Sequence, residues 1–172
     1  MTGRNTSPER SRSSRSSVVV PAMTAASHDD DDELIDERAP VALARPPRAP
    51  SSPEVGKRIA LLAAAAGLDK KAEDIQIIDV VGKVDYADYI VLMTGTSDRN
   101  VAAIARGIET DLAKESIAAL ALEGLPLARW VLIDFVEVVV HVFQSEWRQV
   151  YDLDGLWMDA PRVPLPPTLR RD

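Results

Sequence analysis

Cysteine is absent from the 172 residues of this chain. Disulfide bonds, thiolate zinc sites and a cysteine nucleophile are therefore excluded, and the composition favours a reducing compartment, which we expect to be the cytoplasm. Long apolar runs are missing as well. The most apolar run, from Val136 to Phe143, is interrupted by Glu137 and His141, so we expect no contact with a membrane.

Basic charge is scarce in the part of the chain that we expect to fold. Residues 53–172 contain 13 Lys and Arg against 19 Asp and Glu, a formal charge of −6. Sequence-independent binding to nucleic acid requires basic side chains that neutralise phosphates. We therefore expect no direct or sequence-specific binding of nucleic acid, and a basic protein is the favoured partner.

Hydrophobic periodicity is missing from the first 52 residues, which are rich in Ser, Arg, Pro and a run of acids. Such a segment cannot bury enough apolar surface to offset the entropy of ordering. We predict a disordered extension over residues 1–52, one domain over residues 53–161 and a Pro-rich tail over residues 162–172. His28 beside the acids Asp29 to Asp32 is typical of a solvated tail, and we expect no metal site there.

Within the domain, the apolar pattern alternates between helical and strand periods. It predicts a helix from Pro53, capped by Ser51 or Ser52 and stopped at Gly67, and a second helix from Ser97 to about Glu115. The remaining elements are strands at Glu73–Val81, Asp88–Thr94, in "IAALALEG" and twice in "RWVLIDFVEVVVHVFQ", and a short helix capped by Ser145. This order predicts an α+β fold of three α/β/α-like layers with a mixed five-stranded sheet.

The stretch "TGTSD", Thr94 to Asp98, resembles a phosphate-binding loop because a strand ends there and a helix begins. The second glycine and the lysine of a phosphate-loop NTPase are missing, as is the glycine pattern of a dinucleotide-binding loop. A nucleotidyltransferase would also need two carboxylates on the next strand to hold its metal ions, and none precede Glu123. We therefore interpret Ser97 as a helix cap and expect no catalytic residue, metal or cofactor.

His141 could suggest a catalytic triad with Ser97, but a lone histidine that alternates with valines is more typical of a core position. The tryptophans Trp130, Trp147 and Trp157 all lie in the last third of the chain, near Phe135, Phe143 and Tyr151. Such a cluster is either core or a protein-binding face, and we expect part of it to be exposed.

Three segments, "DYIVLMTGTSDRNVAAIARGIE", "EGLPLARWVLIDF" and "VVVHVFQSEWRQVYDLDGLWMDAP", together resemble the ribosomal silencing factor family, also called Iojap-like, over Pro53 to Pro161. The resemblance implies a nucleotidyltransferase-like fold without the catalytic carboxylates. It also implies a protein that is not an enzyme, and that binds the large ribosomal subunit at ribosomal protein L-fourteen and blocks joining of the small subunit. A nucleotidyltransferase-like enzyme or nucleotide-binding protein remains the alternative, and formation of a homodimer stays open.

On this interpretation a partner face contains six residues, Trp130, Asp134, Phe135, Tyr151, Leu156 and Trp157. The chain departs from the family pattern in two places. Val136 stands where the family usually has glycine in a strand turn, although valine avoids positive φ. Gly155 follows Asp154, and we expect it to loosen the last turn.

Overall fold

The computed structural model describes residues 48–170 as one α+β domain. The helices are α1 (Pro53–Asp69), α2 (Asp98–Lys114), α3 (Ser145–Tyr151) and α4 (Leu153–Leu156), followed by a 3-10 turn at Pro167–Leu169. The strands are β1 (Glu73–Asp79), β2 (Tyr89–Gly95), β3 (Ala121–Glu123), β4 (Trp130–Asp134), β5 (Val138–Gln144) and β6 (Arg162–Val163).

The sheet is mixed and has the order β3-β4-β5-β2-β1-β6, with β2 and β5 parallel and every other pair antiparallel. It has six strands, so the predicted number of five is wrong. The additional strand is β6, whose Val163 and Arg162 pair with Ile77 and Ile78 of β1. Part of the predicted tail at residues 162–172 therefore belongs to the fold. A strand of two residues is too short to show the alternation on which its prediction would depend.

Both long helices begin at the predicted serine caps. Ser52 Oγ accepts a hydrogen bond from Glu54 N, and Ser97 Oγ accepts one from Asn100 N. The predicted stop of α1 at Gly67 is wrong, because the helix continues to Asp69. Gly67 serves packing instead: a Cβ added there would lie 2.6 Å from Met93 Sδ, so the missing side chain lets α1 lie close to β2.

The sheet separates two apolar layers, as the three-layer prediction requires. One face packs against α1 and α2 through a buried cluster that includes Val91, Met93, Ile104, Ile108 and Val140. The other face carries a second cluster that includes Ile78, Ile90, Leu92, Trp130 and Phe143, and α3 and α4 cover it. Strand β5 lies near the centre of the sheet and alternates as predicted, with Val138, Val140 and Val142 toward the long helices.

Residues 48–52 precede α1 and contact the domain, although the sequence placed them in the extension. Arg48 Nη2 lies 2.7 Å from Asp88 Oδ1, and the Asp88 side chain is only 5% exposed. The predicted disorder of residues 1–47 falls outside the described residues. Among residues 48–170 no helix is both long and apolar enough to cross a bilayer.

Candidate protein-binding surface

His141 lies in the core on the side of the sheet that faces α3. Trp130 Nε1 donates a hydrogen bond of 3.0 Å to His141 Nδ1, which assigns the ring proton to Nε2. Burial lowers the pKa of His141 to about 3, so the imidazole is neutral at physiological pH. The interpretation of His141 as a core residue is confirmed, because it is buried and its ring centre lies 5.7 Å from that of Trp130 and 6.0 Å from that of Phe143.

The six residues predicted for the partner face divide into two layers. Trp130, Asp134 and Phe135 are buried, so their side chains lie inside the domain and not on its surface. Phe135 belongs to the cluster beneath α1 and α2. Tyr151 and Trp157 are half-buried, and Leu156 is 53% exposed. A strand-end residue points inward or outward according to its register and turn, and the alternation of apolar residues fades at the strand ends.

Aromatic rings connect the two layers. Trp130 lies 4.3 Å from Tyr151 between ring centroids, and Tyr151 stacks on Trp147 at 6.1 Å. The Arg129 guanidinium lies 5.2 Å from the centre of the Trp147 ring, a cation–π distance. The buried Trp130 thus supports a half-exposed aromatic pair from below.

A set of apolar side chains around α3 and α4 remains open to solvent. Val150 is 61% exposed and Met158 is 80% exposed, in contrast to the buried residues of the adjoining sheet. We call this surface the docking face, and it consists of Trp147, Val150, Tyr151, Leu156, Trp157 and Met158. Exposed apolar groups concentrated on two short helices are typical of a protein contact.

Sequence reasoning missed three members of the docking face, Trp147, Val150 and Met158. The signal for the first two was the helical spacing of Trp147, Val150 and Tyr151, which places them on one side of α3. No periodic signal marks Met158, because it follows α4 in a turn. Exposed carboxylates, Glu146, Asp152 and Asp159, flank the face. Lys83 Nζ lies 3.9 Å from Asp159 Oδ2, so the rim also has a basic group, but the formal charge of −6 over residues 53–172 favours a basic partner.

Asp134 stabilises the turn that joins β4 to β5. Its Oδ1 accepts a hydrogen bond of 2.8 Å from Val136 N, and Glu137 N donates to Phe135 O across Val136. Val136 has a φ of 74°, so the turn keeps a positive φ although a β-branched residue occupies it. The carboxylate of Asp134 is therefore directed into this turn.

Gly155 has a specific partner in the link between α3 and α4. Asp152 has a left-handed conformation with φ 42°, and its side chain accepts a hydrogen bond from Gly155 N. A Cβ added at Gly155 would lie 2.3 Å from Asp152 Oδ2. The expectation that Gly155 loosens the turn is wrong, since the glycine makes room for the carboxylate that caps α4. The predicted cap at Ser145 is also wrong, because Gln144 precedes α3 and makes no side-chain cap.

Backbone donors of the Thr94–Asp98 loop and of the first turn of α2 are bound by side chains of the same two segments. Asn100 Oδ1 accepts from Thr96 N at 3.0 Å, and Ser97 Oγ accepts from Asn100 N at 3.1 Å. Asp98 Oδ1 accepts from Arg99 N at 2.7 Å. A phosphate at this helix terminus would have to displace these acceptors and approach the Asp98 carboxylate. Within residues 48–170, no group of His, Asp and Glu could hold a metal ion.

Known proteins resemble most of the domain. A family model described as ribosomal silencing factor during starvation matches residues 52–172. The ribosomal silencing factor RsfS of Bacillus subtilis (strain 168) is 46% identical over 109 residues, which are 63% of this chain and 92% of that protein. The ribosomal silencing factor RsfS of Halalkalibacterium halodurans is 42% identical over 104 residues, 60% of this chain and 89% of that protein.

The fold is similar to that of a solved structure. The crystal structure of a protein from Chromobacterium violaceum has a TM-score of 0.58 and is 32% identical, and the match covers 59% of this chain and 85% of that one. The similarity extends over nearly the whole of that chain, so the described fold has an experimental counterpart.

Proposed function

The chain belongs to the family of ribosomal silencing factors, and from that membership we propose that it represses translation by binding the large ribosomal subunit. In this proposal it binds through ribosomal protein L-fourteen and occupies a surface that the small subunit needs for joining. Starvation is the condition that the family description gives for such silencing. The proposal places the protein in the cytoplasm and requires no catalytic step.

The docking face is the observation that carries this proposal. Its aliphatic side chains are exposed and its aromatic rings are half-buried beside acids, on a domain whose residues 53–172 have a formal charge of −6. Large apolar anchors within a polar rim are typical of binding hot spots. A basic protein on the ribosome surface would bring complementary charge to the rim, whereas direct binding to rRNA phosphates would be repelled.

Within this proposal, the six residues predicted from the sequence have two different roles. Tyr151, Leu156 and Trp157 contact the partner, together with Trp147, Val150 and Met158. Trp130, Asp134 and Phe135 have internal roles: Trp130 supports that surface from below, Asp134 holds the β4–β5 turn, and Phe135 packs beneath α1 and α2. The alternative, nucleotide binding or transfer, receives no support from a loop whose backbone donors already have side-chain acceptors.

Sedimentation with separated ribosomal subunits tests the proposal. We expect the protein to sediment with isolated large subunits and to reduce the yield of joined ribosomes when small subunits are added afterwards. It should not sediment with isolated small subunits. Equal binding to both subunits, or binding to large subunits without any effect on joining, would contradict the proposed mechanism.

A further inference from the structure

The segment that carries half of the docking face has little apolar packing of its own. Between Asp152 and Ala160, only Leu153 and Ala160 are buried, while Leu156 and Met158 are exposed. Trp157 is half-buried against the cluster on this side of the sheet, so apolar packing fixes part of the segment. The orientation of the exposed part, with Leu156 and Met158, depends also on polar contacts.

Arg148 of α3 provides a group of such contacts. Its Nε and Nη2 each lie 3.0 Å from an oxygen of Asp154 in α4, which is a bidentate pair. Its Nη1 donates to the Asp74 carbonyl at 2.6 Å and to Thr94 Oγ1 at 2.8 Å. One guanidinium thus joins α3, α4 and the adjacent ends of β1 and β2.

The environment of Arg148 strengthens these contacts. Its side chain is only 12% exposed, so water screens the pair with Asp154 less than it would screen a surface pair. The hydrogen bond from Arg148 holds the pKa of the Asp154 carboxyl below its ordinary value. Asp154 is therefore ionised near neutral pH, as a charged pair requires.

Arg162 holds the other end of the same segment. Its Nη1 donates to the carbonyl oxygens of Trp157 at 2.7 Å and Ala160 at 3.1 Å, and its Nε donates to Gln76 Oε1 at 3.1 Å. These bonds connect the chain after α4 to β1 through an exposed side chain. Arg162 Nη2 also donates to the Asp154 carbonyl at 3.3 Å, so Arg162 contacts both ends of the segment, whereas Arg148 binds the Asp154 side chain at its beginning.

We propose that Arg148 is a positioning residue of the docking face. Arg148 sets the orientation of α4 through its bidentate pair with Asp154. This inference rests on the proposed function, because it gives a role to the geometry of that face. Arg148 itself is largely covered and acts through the placement of Leu156 and Trp157. The planar guanidinium is essential to this role, since a lysine ammonium cannot make two parallel bonds to one carboxylate and also reach Thr94.

The test combines Arg148→Lys with Asp154→Asn and the double variant. We expect each single change to weaken binding of isolated large subunits by about tenfold, because charge-assisted hydrogen bonds are lost in each. The double variant should bind no more weakly than Arg148→Lys, since Arg148→Lys already removes the link to Asp154. Arg58→Met is the matched control, because it breaks an exposed pair between Arg58 of α1 and Glu115 at the end of α2 and should leave affinity unchanged.

Hydrogen exchange on the free protein provides the second readout. The amides of Leu156, Trp157 and Ala160 are bonded within the segment and should exchange faster in Arg148→Lys, while amides of β2 and β5 keep their protection. Additive losses of affinity would indicate direct contact with the partner and overturn the positioning role. Unchanged affinity in Arg148→Lys would overturn it too, whereas failure of the unmodified chain to bind large subunits would instead overturn the proposed function.

Discussion

At the scale of single residues, the core beneath the docking face contains a polar pair, Trp130 and His141. Their hydrogen bond satisfies the indole donor inside an apolar layer, where an unmade bond would cost about 1–3 kcal/mol. The pair remains favourable only while the imidazole is neutral, because a protonated Nδ1 could no longer accept. Acid should therefore weaken the core under the docking face.

The pH dependence of stability follows from the pKa of His141. Its folded-state pKa of about 3 lies below the ordinary 6.5, so between these values the unfolded chain binds a proton that the folded chain does not. The free energy of unfolding should fall as pH decreases from about 6.5, by about 2 kcal/mol at pH 5. Urea unfolding between pH 7 and pH 5 measures this loss.

His141→Gln is the control for that measurement, because glutamine can accept from Trp130 but does not titrate. Its stability should change much less between pH 7 and pH 5. The pKa of the Asp154 carboxyl, held low by its hydrogen bond to Arg148, affects stability only at more acidic pH. An equal pH dependence in the unmodified chain and in His141→Gln would show that His141 is not the titrating group.

At the scale of elements, the sequence predicted the helices and strands that have a repeating apolar pattern and missed the features that have none. Helix α2 has apolar residues at helical spacing over 17 residues, and β5 alternates over seven, so both were identifiable. Strand β6 has only two residues and is defined by its pairing with β1. The break between α3 and α4 is a single residue, Asp152, whose side chain caps α4. The inward orientation of Phe135 depends on the turn that contains Val136. The positive φ of Val136 is unusual for a β-branched residue, so the sequence did not predict this turn.

The entry to α1 gives a prediction at this scale. Arg48→Met removes the counterion of the Asp88 carboxylate, whose side chain is 5% exposed, and leaves that charge buried. We expect a loss of about 2–3 kcal/mol in unfolding free energy, and the same loss when the chain is shortened to begin at Ser51. Thermal unfolding measures both.

The exposed pair of Arg58 and Glu115 is the control for Arg48, and Arg58→Met should lower stability by less than about 1 kcal/mol. The sequence predicted a disordered extension over residues 1–52, whose removal would not affect folding, and this experiment decides between that expectation and the observed contact. Equal thermal midpoints for the full and shortened chains would mean that the ion pair of Arg48 contributes nothing to stability.

At the scale of the whole molecule, the domain has two different sides. The long helices α1 and α2 cover one face of the sheet with a large apolar cluster, while short helices cover the other and leave apolar groups exposed. Stability should therefore depend mainly on the first side and binding on the second. A substitution on the docking face should change affinity without changing the fold.

Leu156→Ala tests this separation. Leu156 is 53% exposed, so we expect the thermal midpoint to change by no more than about 2 °C. Binding to large subunits should weaken by about 30-fold, the effect of losing roughly 2 kcal/mol at a central anchor. Trp157→Ala should also weaken binding, but its half-buried ring means that the midpoint will fall as well.

Leu120→Ala is the matched control, because Leu120 is 47% exposed beside the edge strand β3, away from α3 and α4. It should leave both affinity and midpoint nearly unchanged. If Leu156→Ala and Leu120→Ala bind large subunits equally well, the assignment of the docking face is wrong.

The strand order has a consequence for a newly made chain. Strand β5 lies between β2 and β4, and β6 pairs with β1 at the edge of the sheet. The sheet therefore pairs strands that are synthesised early, β1 and β2, with strands that are synthesised late, β5 and β6. During synthesis the N-terminal elements emerge first, but they cannot complete this sheet without residues 138–163. The helices of the docking face are made between those two strands. A nascent chain that has not yet extended past residue 163 therefore lacks a finished binding surface, and under the proposed function it cannot yet silence a ribosome.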